Sequence, residues 1–183
     1  MILQMDDDLR NVVLAAADGD EVAWEKLVQR FSNLVWAIMR GYGLADADAA
    51  DVFQTTWLRL VEHLGRLHNP QGVGAWLATT ARRESLQILR SGRRVVPTDD
   101  LARLEPATAA APTPETLWLQ TERSAELWRA LRTLTAQCQR LLRVLMASPS
   151  PSYAEVAAAL DMPIGSIGPV RGRCLQQLRQ RLG

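Results

Sequence analysis

Apolar residues recur at helical spacing along most of the chain, and no segment keeps a period of two long enough to form a strand. The strongest run follows Asp18-Gly19-Asp20. Trp24, Leu27, Val28, Phe31, Leu34, Val35, Ile38 and Met39 share one side as far as Gly41-Tyr42-Gly43. This predicts a core helix of about six turns with Asp20 as its N-cap. Ahead of it, Met1 to Met5 and the cluster Asp6-Asp7-Asp8 read equally as a helix start or as a partly ordered tail. Asp46 to Asp51 is an acidic, alanine-rich lead into a second helical pattern, in which Phe53, Trp57, Leu60 and Leu64 form one stripe. Asp51, Gln54, Thr55, Leu58 and Glu62 make a mixed second face. Leu58 is either part of a wide core stripe or an anchor for a partner helix.

A loop over residues 65–74 is punctuated by His68-Asn69-Pro70 and two glycines, and a helix is expected over 75–90. Leu77, Ala81, Ile88 and Leu89 would face inward, while Trp76, Thr79, Thr80 and Arg83 share another face. From Val95 to Pro114 the periodicity vanishes among prolines and alanines, which predicts a flexible linker. Thr113 and Pro114 restart helix as N-cap and first helical residue. Leu117, Trp118, Leu127, Trp128, Leu131 and Leu134 then build a core that a helix beginning near Thr135 joins. The fold class is therefore all-α. Two small helical domains, about 10–94 and 115–183, are joined by the linker 95–114.

The end of the chain carries the most specific local signal. Ser152 and Glu155 form a capping box, so a helix begins there and buries Val156, Ala157 and Leu160. Asp161-Met162-Pro163 stops it. Ser166 is the expected next N-cap, and a helix from Ile167 would hold Pro169 harmlessly in its first turn. Helix, tight turn and second helix are the pattern of a helix-turn-helix, whose second helix enters the DNA major groove. An ordinary helical hairpin with a solvated basic face is the competing reading.

Charge changes the picture. Net charge is only +1, yet residues 1–80 are net −5, residues 81–94 net +4, residues 95–161 net −2 and residues 162–183 net +4. Two basic islands in an acidic frame point to two polyanion contacts. Arg82, Arg83, Arg90, Arg93 and Arg94 make the first island. Beside Trp76 and the threonines it would suit an unstacked base and its phosphates, although Trp76 as a plain core residue is the blander alternative. Cys138 and Cys174 sit at apolar helix positions and are expected as reduced core residues. With no basic-then-apolar leader and no long apolar run, a cytoplasmic location without membrane contact is expected. No phosphate-cradling glycine loop, zinc-spaced cysteine pair or nucleophile elbow occurs, and His63 and His68 lack a second ligand type. No catalytic residue, no metal and no cofactor are expected.

Taken in order, Asp51-Val-Phe-Gln-Thr-Thr-Trp-Leu-Arg-Leu60, Ala75-Trp-Leu-Ala-Thr-Thr-Ala-Arg-Arg83, a Pro/Ala linker and Ser152-Tyr-Ala-Glu-Val-Ala with Gly165-Ser-Ile resemble the extracytoplasmic-function (ECF) sigma factors of the sigma-70 family. The resemblance runs from about residue 10 to 182. It implies a non-enzymatic subunit that binds core RNA polymerase, recognises a promoter and helps to open it. Residues 10–94 would be sigma region 2 and residues 115–183 region 4. Asp51, Gln54, Thr55, Trp57 and Leu58 would grip the clamp helices of the polymerase β′ subunit. His68, Asn69, Trp76, Thr79, Thr80, Arg82, Arg83 and Arg90 would read the −10 element as a single strand. The linker acids Asp99, Asp100 and Glu105 would suit a cationic channel in the polymerase. Ser166, Gly168, Arg171 and Arg173 would face the −35 duplex.

Two departures carry consequences. Arg83 stands where some relatives have asparagine, which alters the expected base preference. Gly168, Pro169 and Val170 replace early basic residues of the reading helix, which shifts weight to backbone contacts and DNA shape. An anti-sigma factor or other regulatory protein is a common partner in the resembling family. Two rivals stand beside this reading: a helix-turn-helix regulator acting without core polymerase, and a helical interaction module whose basic islands are only solvated faces.

Overall fold

The computed structural model describes residues 2–91 and 125–182, with side chains from Asp8 onward. The expected linker 95–114, its three acids, Arg93, Arg94 and the helix start at Thr113-Pro114 lie outside the described residues. Every regular element among those described is helical: α1 (Ile2–Ala17), α2 (Glu21–Gly41), α3 (Asp46–His63), α4 (Val73–Arg90), α5 (described over 125–132), α6 (Ala136–Leu145), α7 (Tyr153–Leu160) and α8 (Ile164–Leu182). No helix among them is long and apolar enough to cross a membrane.

Local chemistry sets most boundaries. Asp20 caps α2 by accepting from the Ala23 amide at 3.0 Å. Gly19 and Gly43, with φ of 92° and 73°, turn the chain at its two ends. The N-terminal segment is helix, which resolves the open choice there. Residues 46–51 also belong to α3 rather than preceding it. Asp46 and Asp48 lie in its first turn, where acids oppose the positive end of the helix dipole, and Arg40 grips Asp46 at 2.7 Å. The expected loop 65–74 is shorter than that spacing implied: it holds two 3₁₀ turns, Leu64–Arg66 and Pro70–Gly72, the second capped by Asn69, and residues 73 and 74 already belong to α4.

In the C-terminal half, Thr135 caps α6, and Ser152 and Glu155 form the complete capping box of α7. Asp161 ends α7 in the left-handed region, at φ 56°. Two expectations fail here. The last helix starts at Ile164, not Ile167, so Ser166 is inside its first turn and Pro169 lies within the helix. Pro169 and Gly165, four residues apart, are both exposed, so water can hydrate the carbonyl that proline cannot serve. The cysteines are not reduced. Cys138 on α6 and Cys174 on α8 approach to a Cα–Cα distance of 5.4 Å and form a disulfide.

The buried side chains form one continuous set. Leu27, Val35, Ile38, Met39, Leu60, Val73 and Leu77 fill the space among α2, α3 and α4; Leu141, Val156, Ile167 and Cys174 fill that among α6, α7 and α8. The two groups touch. α7 packs along α4, and α6 packs on α2.

Candidate nucleic-acid and polymerase interface

Three surfaces carry the residues singled out from the sequence. The first is α3. Its inner side is aromatic: Trp36 stacks on Phe53 at 5.1 Å, and Trp57 meets Trp24 edge-on at 5.9 Å. That rib fixes which side of α3 faces out. Asp51 and Gln54 are exposed, Thr55 is half-buried, and Leu58 is 60 % exposed. Leu58 is therefore no core residue. Val61, three residues on and 58 % exposed, extends the stripe; its spacing from Leu58 was the available signal. Trp57 is 8 % exposed and lies beneath this face rather than on it.

The second surface is the outer side of α4 with the turn before it. Trp76 is half-buried and stacks on the exposed His63 imidazole at 5.6 Å, with the rings 26° apart. Thr80 is half-buried beside it, whereas the Thr79 hydroxyl donates back to the Ala75 carbonyl at 2.9 Å. Arg83 and Arg90 are exposed. With Arg82, Leu86 and Gln87 they line an open cavity of about 550 Å³ whose lining holds three guanidiniums and no carboxylate. Such a concavity favours a polyanion. Arg59 and Glu84, at 3.1 Å, tie α4 to α3. His68 and Asn69 are exposed on the turn, and Asn69 accepts from the Gln71 amide at 3.1 Å.

Arg82 differs from its neighbours. Its side chain is 15 % exposed, its guanidinium pairs with Asp161 at 2.7 Å, and its Nε is buried without a hydrogen-bond partner. Asp161 belongs to the turn between α7 and α8, so the sequence brings together two residues far apart in the chain. No local pattern announced it.

The third surface is α8. Ile167 and Cys174 are fully buried, which turns Gly168, Arg171 and Arg173 to solvent and leaves Ser166 half-buried. Ser166 serves the helix start, donating its amide to the Pro163 carbonyl at 2.9 Å. The disulfide pins this helix to α6. Among the described residues no group of histidines, cysteines and acids could hold a metal ion.

Residues 27–95, which span α2 to α4, match the family model of sigma-70 region 2. Over 89 % of its length the chain is 25 % identical to ECF RNA polymerase sigma-E factors of Salmonella typhimurium and Escherichia coli K12, covering 89 % of each. It is also 25 % identical to ECF RNA polymerase sigma factor SigE of Mycolicibacterium smegmatis, over 96 % of this chain and 69 % of that one. Among solved structures, CnrH, in complex with the cytosolic domain of CnrY, shares the fold at a TM-score of 0.60 and 23 % identity, covering 95 % of this chain and 96 % of that one.

Proposed function

We infer that this chain, a member of the ECF group of the sigma-70 family, binds core RNA polymerase and directs it to promoters to initiate transcription. The observation that carries the reading is the region 2 match lying over both an exposed partner stripe and a basic, tryptophan-bearing helix. A helix-turn-helix regulator working without polymerase has no use for that combination.

In this reading residues 10–94 act as region 2, residues 95–114 as the linker and residues 115–183 as region 4. Asp51, Gln54, Thr55, Leu58 and Val61 meet the polymerase clamp helices, with Trp57 supporting them from below. Unstacking a base costs a few kcal/mol, which stacking and phosphate contacts from Trp76, Thr80, Arg83 and Arg90 would return. α8 lies against duplex, with Arg171 and Arg173 supplying charge and the exposed Gly168 permitting close backbone approach. The work is recognition and strand capture rather than bond-making, and its setting is the cytoplasm.

The deciding experiment is capture of bacterial core polymerase by the wild type and by a triple variant, Asp51→Ala, Gln54→Ala and Leu58→Ala. Capture by the wild type with loss in the variant is expected. Capture by neither, together with binding of the free protein to a palindromic duplex, would favour the regulator.

A further inference from the structure

The last helix is poorly equipped to hold itself in place. Gly165, Gly168, Pro169 and Gly172 all fall in the first half of α8, and glycine and proline are the weakest helix formers. Of its 19 residues only Ile167 and Cys174 are buried, with Val170, Leu175 and Leu178 half-buried against the core. Both ends carry exposed apolar side chains, Ile164 and Leu182. Ile167 anchors the first turn. Beyond it the one fully buried attachment is Cys174, and that attachment is covalent. Its partner Cys138 belongs to α6, a helix that Thr135 caps and that buries Leu141, Leu142 and Val144. Cys174 follows Arg173 directly and Arg171 by three residues, so the bond fixes which way those two guanidiniums face.

A permanent bond of this kind fits poorly with the cytoplasmic setting inferred above. Glutathione and thioredoxin keep thiols reduced there, and the disulfides that do form are mostly transient, catalytic or redox-sensing. The placement of the sulfurs permits exchange. Cys174 is fully buried, but Cys138 keeps 6 % of its surface, and its Sγ lies 3.8 Å from Oε1 of the exposed Gln177 on α8. A small reagent reaches the pair along that edge, and outward fluctuation of the glycine-rich helix widens it.

We propose that Cys138 and Cys174 form a redox switch on the reading helix: oxidation pins α8 to α6 in the orientation that presents Gly168, Arg171 and Arg173 to duplex, and reduction releases it. Promoter reading through α8 is thereby confined to oxidising conditions. The inference rests on the reading of α8 as the duplex-binding helix and of the cytoplasm as its setting. The oxidant is a low-molecular-weight disulfide such as oxidised glutathione. The Cys138 thiolate attacks it, forming a mixed disulfide and releasing one thiolate, and the Cys174 thiolate then displaces the second. One S–S bond breaks in the reagent and one forms in the protein. Two electrons pass from the cysteine pair to the reagent, and the two protons lost by the cysteines end on the two released thiols. Reduced glutathione or a dithiol reverses the sequence.

The main arms of the test use the unsubstituted full chain. It is equilibrated in mixtures of reduced and oxidised glutathione, and its free thiols are trapped and counted by mass spectrometry. Passage of the pair from dithiol to disulfide across the mixtures is expected. A pair that stays bonded in reduced glutathione alone, or that never closes in oxidised glutathione, overturns the switch. The oxidised chain then selects from a pool of short duplexes with a randomised centre, and both redox forms are measured for affinity to the selected and the starting pool. The oxidised chain is expected to prefer the selected pool at least about ten-fold, the scale of one correctly read base pair, and the reduced chain to bind both pools alike. An equal preference in the reduced chain overturns the switch. Failure of the oxidised chain to enrich any sequence overturns the reading of α8 itself, and the switch with it. The double variant Cys138→Ala, Cys174→Ala is expected to behave as the reduced chain in either buffer, and a response to oxidant that survives in it overturns the pair as the source.

Discussion

Cutting the Cys138–Cys174 disulfide should loosen the helix-turn-helix selectively. The bridge closes a loop of sequence separation 36 that contains all of α7 and both turns. For a ring of this size the chain-entropy expression gives about 4 kcal/mol at 25 °C, gained by restricting the unfolded chain. Cys174 is fully buried and Cys138 nearly so, which means a serine at either position would add the cost of a buried hydroxyl. Dithiol reduction and a double Cys→Ala variant avoid that confusion. The assay is hydrogen exchange resolved by peptide, because it separates the C-terminal helices from α2–α4. Protection in α6 and α8 should fall roughly 10³-fold, the equivalent of about 4 kcal/mol, while the core of α2 and α3 changes far less. Equal protection in α6 and α8 with and without the bridge would refute the loop-closure argument.

Two further outcomes follow from burial and ionisation. Leu77→Ala, at a fully buried position of α4, should cost 2–5 kcal/mol in urea unfolding; Leu58→Ala, at a 60 % exposed one, should stay within about 0.5 kcal/mol yet weaken core capture. Burial raises the Tyr42 phenol above its ordinary 10.0, outweighing the downward pull of Arg140 and Arg82, and Asp161 adds a smaller push upward. The folded state therefore favours the neutral phenol. That stability is fully present below pH 10.0 and is lost as pH rises through the raised value. Thermal melts across this alkaline range should show a decline that Tyr42→Phe reduces; an identical decline in both proteins would remove Tyr42 as its source.

What the sequence disclosed was what short-range chemistry determines. Asp20, Thr135 and the Ser152/Glu155 pair each cap an amide three residues away, so their bonds can be read from neighbouring letters. The mixed face of α3 was likewise visible in its spacing. Whether Leu58 faced a core or solvent was not, because that depends on which side the aromatic rib of Trp24, Trp36 and Phe53 claims. The disulfide and the Arg82–Asp161 pair join residues 36 and 79 positions apart, and no periodicity encodes such meetings. Pro169 misled for a different reason. Its cost inside a helix depends on solvent at the carbonyl four residues back, which is a property of the fold and not of the local letters.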